Sequence, residues 1–526
     1  METNPEHEPL FGAIDSGTTS TRFIVFTANS DTVAVSQIAH EQIHPEQGWT
    51  EHDPREIMLR VQQTMEDCAR QLHAKGIPVS SVKAIGVTNQ RETCLVWDTH
   101  NHICNAVVWH DTRTADLVES LVSDHGGQGE EAKGKDCFRH ITGLPLSTYF
   151  SGAKLMWLRQ NHERVGAAFD LCDKYQQGHI ADAPDTMVGT IDSWIIHQLT
   201  GVHVTDVSNA SRTMLMDISS CEWSPAMCEV FSVPMCTLPK IVPSSGTVAK
   251  LRSGPFMGIP ISGIAGDQQS ALFGHRCFEK GMAKCTFGTG AFLLSNTGTV
   301  PVFSDKGLLT TVAYQLPGEK PVYALEGSVA AAGCVVEWLV SMGIIDAPEQ
   351  LGPLAGSVPD SGGLTVVPAL TGMLAPHWRP DARGCFLGMS LATTKAHVCK
   401  ATLEGIAMSV SDVLGAASGA VEVLTPVAGE PTTQLLAVDG GLVRCHEFVQ
   451  IQSDLANVRI AVPSNPELTA IGAASLAAMG VGHKDGVHPT SPPEIVCPKD
   501  GLPGDEYRHA MHLKWMSLID RAFDLA

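Results

Sequence analysis

The chain has 526 residues, 44% of them hydrophobic and 17% charged, with a formal net charge of −21 from 35 basic and 56 acidic side chains. That length exceeds one hydrophobic core and asks for two domains of about 250 residues, with a globular composition. The negative balance argues against nucleic acid or an anionic membrane as partner. It leaves a nucleotide substrate open, because local charge rather than the sum sets a pocket.

The fifteen cysteines are scattered, with no CxxC pair and no Cys/His spacing that suggests zinc. Their odd number, and an opening METNPEHEPLFG without an apolar signal segment, point to reduced thiols in a cytosol-like compartment. The first apolar segment, AIDSGTTSTRFIVF (13–26), reads as two strands around a polar tip. That tip is either a solvated turn or an anion-binding nest. In the second reading Gly17 permits positive φ and close backbone approach. Thr18, Thr19 and Ser20 supply hydroxyl donors to phosphate oxygens, and Arg22 a planar cation. Asp15 would repel phosphate directly, so its place is to hold Mg²⁺ through water.

Residues 54–74 carry Ile57, Val61, Met65 and Cys68 at helical spacing, whereas VKAIGVT (82–88) and CLVWD (94–98) read as strands. The mixture predicts an α/β protein. After the first of those strands comes TNQRET, with Arg91 beside Glu92. Neighbours in a regular strand face opposite ways, so the chain must bend if both serve one pocket. Trp109 and Tyr149 could wall a small polar ligand. The stretch 125–136 is a charged, glycine-rich loop with P-loop spacing, but Asp136 replaces the required Ser/Thr, and Glu130 and Glu131 would repel phosphate. It is read as a decoy, as is the sequon Asn209-Ala210-Ser211.

ISGIAGDQQSALFG (261–274) is a strand followed by a helical pattern, leaving Asp267 at the helix N-terminus. An N-cap and a general base for a substrate hydroxyl are both open there. KCTFGTGAFLLSN (284–296) repeats the strand–tip–strand design of the opening, and LLAVDGGLV (435–443) adds a strand ending in paired glycines. The echo suggests a duplicated fold whose halves each offer a phosphate-gripping tip. GSVAAAGCVVEWLVSMGII (327–345), with Glu337 at its centre, is read as a buried helix rather than a membrane span. PTSPPE (489–494) marks a turn before a terminal helix within 505–526.

The ordered set of blocks resembles the FGGY carbohydrate kinases, within them the branch that acts on glycerol, from about Leu10 to about Gly482. YFSGAKLMWLRQN (149–161) and GCFLGMSLATTKAHVCKATLE (384–404) are similar to the two family signatures. DSGTTSTR, GWTEHDP, TNQRET, TDVSNASRTML, GIAGDQQSALFG, FGTGAF, YALEGS and VDGG follow in family order. The resemblance implies two actin-like ATPase (ribonuclease-H-like) α/β domains flanking a central cleft. Residues 9–275 would carry the polyol site and first phosphate hairpin, 276–482 the nucleotide side, and 483–526 a tail. It implies ATP + glycerol → sn-glycerol 3-phosphate + ADP, with Mg²⁺.

By position, Arg91, Glu92, Tyr149 and Asp267 would meet the glycerol hydroxyls, Gln268 would lie beside them, and Trp109 and Phe292 would be apolar walls. Asp267 resembles the catalytic base. Thr18, Thr19, Ser20 and Arg22 resemble the first phosphate loop and Thr289 the second, with Gly333, Glu337, Gly441 and Cys445 along the nucleotide. Ser16 and Glu337 stand where many members carry glutamine, and Arg444-Cys445 where an asparagine amide usually serves the nucleotide. These departures predict weakened ATP affinity with chemistry retained. The resemblance further implies a homodimer or larger homo-oligomer, with the cytoplasm as compartment and a glycosome-like organelle as the alternative. The rival readings are a kinase for another sugar or polyol, and a weakened paralogue acting as a binding protein.

Overall fold

The computed structural model describes residues 8–99, 102–127, 133–379, 381–420, 435–499 and 502–525. The opening residues 1–7 and the glutamates of the P-loop decoy lie outside that range. Two compact units emerge, and neither is contiguous. The first takes Met1–Arg276, Thr310–Tyr323 and Glu467–Thr490; the second takes Cys277–Leu309, Ala324–Pro466 and Ser491–Ala526. The sequence-order division at 275/276 and 482/483 therefore follows the chain, while the units trade segments across it.

The first unit is built on strands β1 (Leu10–Ser16), β2 (Ser20–Thr27) and β3 (Thr32–Ala39), helix α1 (Pro54–Ala74), strand β4 (Val82–Asn89), helix α2 (Ser151–Asn161), strands β5 (Ser245–Lys250) and β6 (Pro260–Gly266), and helix α3 (Asp267–Gly274). Its sheet has the order β5-β6-β4-β1-β2-β3. β1 is antiparallel to β2 and parallel to β4, which is parallel to β6. Alternation along the strands sorts the core into two faces. Ile14, Phe23 and Val25 pack with Ile57, Val61, Met65 and Cys68 of α1. Phe11, Ala13, Ile24 and Phe26 pack with Ala470, Ile471, Ala473 and Ala474. Those alanines belong to the helix Leu468–Gly480, whose backbone lies so close that a Cβ on Gly86 would strike the Ala473 carbonyl. The 54–74 periodicity and both strand expectations at 82–88 and 94–98 are met.

The second unit repeats the plan with β7 (Ala283–Phe287), β8 (Ala291–Gly298), β9 (Val322–Val329), helix α4 (Gly333–Ser341), β10 (Leu435–Asp439), β11 (Arg459–Val462) and β12 (Glu494–Val496). These strands run in the order β9-β8-β7-β10-β11-β12. β7 is antiparallel to β8 and parallel to β10, and β10 is parallel to β11. β12 closes the edge antiparallel to β11, as β5 does against β6. The faint echo between 13–26 and 284–296 is thus a duplicated topology. The stretch 327–345 departs from expectation: it is the end of β9, a short link and the nine-residue α4, not one helix. Among the described residues no helix is long and apolar enough to cross a membrane. A terminal helix, Leu502–Leu518, occupies the tail as anticipated.

Candidate active site

In the first unit the polar residues converge because three parallel strands end at one level. Ser16 pairs with Asn89, and Asn89 with Gly266, so Asp15, the segment after Asn89 and Asp267 all sit at the carboxyl ends of β1, β4 and β6. This is where α/β sheets present ligand-binding groups.

Beyond β4 the chain does bend. Glu92 has φ 60°, and the Thr93 N–H donates to the Arg91 carbonyl at 2.7 Å. The bend sends Arg91 and Glu92 to different partners. Arg91 Nε lies 3.2 Å from Asp267 Oδ1, and Nη1 donates to Gln269 Oε1 at 3.3 Å. A Cβ on Gly266 would come within 2.7 Å of Arg91 Cγ and Cδ, so glycine there makes room for the arginine. Glu92 Oε1 instead accepts from Arg212 Nε at 2.6 Å, with both side chains buried. The Arg212 guanidinium sits 5.6 Å from the Tyr149 ring centroid and 5.4 Å from that of Phe150. Pairing of this kind offsets much of the cost of burying the two charges.

Asp267 is the first residue of α3, with Gly266 in the capping position. Its Oδ1 accepts from the Gln268 backbone N–H at 2.8 Å and its Oδ2 from Gln268 Nε2 at 3.2 Å. The carboxylate is thus oriented from three donors while its side chain stays 29% exposed. Trp109 and Tyr149 pack with ring centroids 5.4 Å apart. Behind them Lys154, fully buried, donates from Nζ to the carbonyls of Thr148 and Tyr149 (2.6 Å each) and Trp109 (3.3 Å). Burial lowers its pKa to about 8.

The hairpin tip Gly17-Thr18-Thr19 links β1 to β2, with Thr19 exposed and Thr18 and Ser20 half-buried. Gly17 is not at positive φ, and its N–H is taken by the Ser20 carbonyl at 3.0 Å. What glycine supplies is space: a Cβ there would find nothing closer than Ser20 O at 3.6 Å. Arg22 is engaged by two carboxylates, Asp15 Oδ2 at 3.2 Å and Glu467 Oε2 at 2.7 Å. Burial lifts the Asp15 carboxyl to about 6, with Arg22 opposing and Asp267 and Glu467 adding to the rise. Ser16 is buried and faces the Thr21 hydroxyl at 3.4 Å.

The second unit holds the remaining candidates. Gly288-Thr289-Gly290 is the tip between β7 and β8, with Thr289 exposed and Phe292 half-buried on β8. The N–H groups of Ala332 and Cys334 donate to the Thr289 carbonyl at 2.9 and 3.1 Å, and that of Gly333 to Gly288 O at 2.9 Å. Glu337 is exposed on α4. Gly440, at φ 97°, turns the chain after β10; Gly441 and Arg444 are exposed. Cys445 caps the helix His446–Ala456 without a side-chain bond to it, and its Sγ contacts Glu447 Oε2 at 3.9 Å. Burial raises its pKa.

The donor set fits a magnesium ion that arrives with a nucleotide. Asp15 is one hard carboxylate beside an open tip, and among the described residues no three His, Cys, Asp or Glu side chains converge as a metal cage. Gly17 in the first unit, and Gly288 and Gly441 in the second, are none of them at positive φ, and each would have room for a Cβ. Nothing in the fold itself demands glycine at those three places.

Sequence reasoning passed over Arg212, Gln269, Lys154 and Glu467. A single charge in an otherwise uncharged run was the available signal for two of them, Arg212 in VSNASRTML and Lys154 in YFSGAKLMWL, since such a charge needs buried polar partners. The sequon Asn209 is completely buried and exchanges amide bonds with Asn89, which rules it out as a glycan acceptor.

Two family models, the N- and C-terminal domains of the FGGY family of carbohydrate kinases, match residues 10–274 and 283–481. A glycerol kinase from Acidiphilium cryptum is 46% identical over 480 residues, covering 90% of each chain. The solved glycerol kinase from Plasmodium falciparum with ADP superposes with a TM-score of 0.85 at 34% identity, covering 98% of each chain. A ligand-bound xylulose kinase from Lactobacillus acidophilus reaches a TM-score of 0.80 at 20% identity over 97% of this chain and 98% of its own, which speaks for the fold alone. The chain belongs to the FGGY family of carbohydrate kinases.

Proposed function

We propose that this chain transfers the terminal phosphoryl group of ATP to glycerol, giving sn-glycerol 3-phosphate and ADP. The observation that carries the reading is the Asp267 carboxylate at a strand end, held by Arg91 Nε at 3.2 Å and by Gln268, yet partly open. A base so held can accept the proton of a substrate hydroxyl as that oxygen attacks phosphorus. The glycerol assignment is supported by curated relatives named glycerol kinase across most of their length.

Glycerol is small and neutral, so recognition depends on pairing its hydroxyls, and an analogue lacking one leaves a buried partner unmatched. Arg91, Glu92, Tyr149 and Asp267 take that role in the proposal, Gln268 orients Asp267, and Trp109 and Phe292 exclude water. Thr18, Thr19, Ser20 and Arg22, with Thr289 from the second unit, hold the phosphates. Gly333, Glu337, Gly441 and Cys445 flank the nucleotide. Magnesium, when bound, neutralises phosphate charge, and Asp15 would hold it through water. Cytoplasmic location and homo-oligomeric assembly belong to the proposal on the resemblance alone.

The test is ADP release from purified protein with Mg-ATP and a panel of glycerol, xylulose and gluconate, with Asp267→Asn alongside. Glycerol should be preferred, and the variant should keep glycerol binding while losing roughly a thousandfold in kcat. Preference for another polyol would remove glycerol, and substantial turnover by Asp267→Asn would remove the base.

A further inference from the structure

Trp109 is tied to the first hairpin at both ends. Its backbone N–H donates to Thr93 Oγ1 at 3.1 Å, and the Thr93 hydroxyl donates to Gln90 Oε1 at 2.9 Å. Gln90 Nε2 donates to the Gly17 carbonyl at 3.1 Å. The indole Nε1–H donates to Thr18 Oγ1 at 3.0 Å. The path closes through the bond between Gly17 and Thr18, making a ring from the aromatic wall to the phosphate hairpin.

A second path reinforces the first. Gln90 Nε2 also donates to His52 Nδ1 at 3.1 Å, His52 Nε2 to Gln42 Oε1 at 2.9 Å, and Gln42 Nε2 to the Thr18 carbonyl at 2.7 Å. His40 Nε2 donates to the same carbonyl at 2.8 Å. One set of orientations satisfies the Gln90–His52–Gln42 path, and it needs His52 neutral; His40 Nδ1, at the side of it, has no partner among the described residues. Burial, helped by His40, His110 and His44, pushes the His52 pKa down to about 3. Gln90, Thr93 and His52 are buried, so water cannot replace a lost partner.

We propose that Trp109 is a positioning residue that couples occupancy of the polyol pocket to the geometry of the phosphate hairpin through Thr18. The inference rests on the glycerol reading above. By accepting from the indole N–H, Thr18 Oγ1 keeps its own O–H for another acceptor, a phosphate oxygen in this proposal. A polyol packed on the indole restrains that donor. By linkage the two ligands then tighten each other's binding by the same factor.

The test is calorimetric titration of a non-hydrolysable ATP analogue with Mg²⁺, with and without saturating glycerol. In the wild type, glycerol should tighten the analogue about fivefold, the worth of one net hydrogen bond. Trp109→Phe keeps an apolar ring and loses the indole donor; Thr93→Val is nearly isosteric and opens the ring elsewhere. In both, the ratio should fall to within about twofold of unity, and Thr93→Val, which leaves the pocket wall in place, should change the affinity for glycerol alone by less than about threefold. An unchanged ratio in both variants, or a wild-type ratio of one, overturns the coupling and leaves the glycerol reading standing. A wild type that binds no glycerol overturns that reading and the coupling with it.

Discussion

The two hairpin tips share one topology and are held by different means. In the first unit, side chains do most of the holding: Gln90, Gln42, His40 and Trp109 all donate to Gly17 or Thr18, beside one backbone bond from the His40 N–H to the Thr19 carbonyl at 3.2 Å. In the second, three backbone N–H groups from Ala332, Gly333 and Cys334 stitch the tip to the start of α4. The acid moves as well. Asp15 pairs with Thr88 across β1 and β4, whereas Thr286 pairs with Asp439 across β7 and β10, so the carboxylate has changed strands. A side-chain brace can be retuned one residue at a time, while a backbone brace constrains only where a Cβ would intrude.

Glycine replacements in the second tip expose that difference most sharply. A Cβ on Gly290 would lie 2.5 Å from Val329 O and 3.1 Å from Ala330 O, both backbone atoms that side-chain rotation cannot relieve. Gly290→Ala should therefore destabilise the protein by about 1–3 kcal/mol, read as a lowered Tm. At Gly288 the nearest atom is Gly290 O at 3.9 Å, so Gly288→Ala should fold normally. If the space serves phosphate, that variant loses about tenfold in ADP affinity at unchanged Tm, the cost of disturbing one charge-assisted contact. Equal ADP affinity in Gly288→Ala and wild type would mean that the space has another use.

Asp15 separates the units by pH. Its folded pKa of about 6 stands above the ordinary 3.8, so between those values the native state binds the proton more tightly than the unfolded chain. Stability from this group is present at low pH and is lost as pH rises through about 6, because a buried carboxylate is then ionised. Activity should run the other way, since the ionised form is the one that can hold magnesium. We expect kcat/KM to fall about tenfold per pH unit below the folded pKa, with Asp15→Asn uniformly slow and free of that limb. The same substitution should remove the opposing drift in Tm. An acid limb that survives in Asp15→Asn assigns it to another group.

What could be read from the chain alone was local. The DSGTTST tip, the GDQ strand-to-helix junction and the spacing over 54–74 each depend on residues close in sequence, and each folds as its pattern implies. Pairings from distant segments were hidden. Arg212 meets Glu92 from 120 positions away, and Arg22 meets Glu467 from 445. The helix Leu468–Gly480 gave no sign that it would cover the first sheet, because alanine and glycine suit any close packing. Gly17 does not use the positive φ that glycine permits, and a Cβ there would meet nothing closer than Ser20 O at 3.6 Å, so neither backbone preference nor packing explains it.

The smallest expected effect lies at Cys445, in the backbone-braced unit, where the resemblance implies an amide along the nucleotide. Its thiol is half-buried, does not cap the helix it precedes, and reaches Glu447 Oε2 at 3.9 Å. A thiol is a weak donor and acceptor, whereas an amide offers two donors and a strong acceptor. A Cβ on Gly352 would lie 3.1 Å from Cys445 Sγ, so the space beside the thiol is limited but bordered by a glycine that an amide can approach. Cys445→Asn should therefore fold and lower the KM for ATP by about fivefold, the worth of one recovered hydrogen bond, with kcat unchanged. Because the chemistry is assigned to Asp267 in the other unit, a change in kcat instead would show that the nucleotide-side departure reaches the chemical step. An unmoved KM would show that the position does not limit nucleotide binding, and would shift attention to Glu337 on α4.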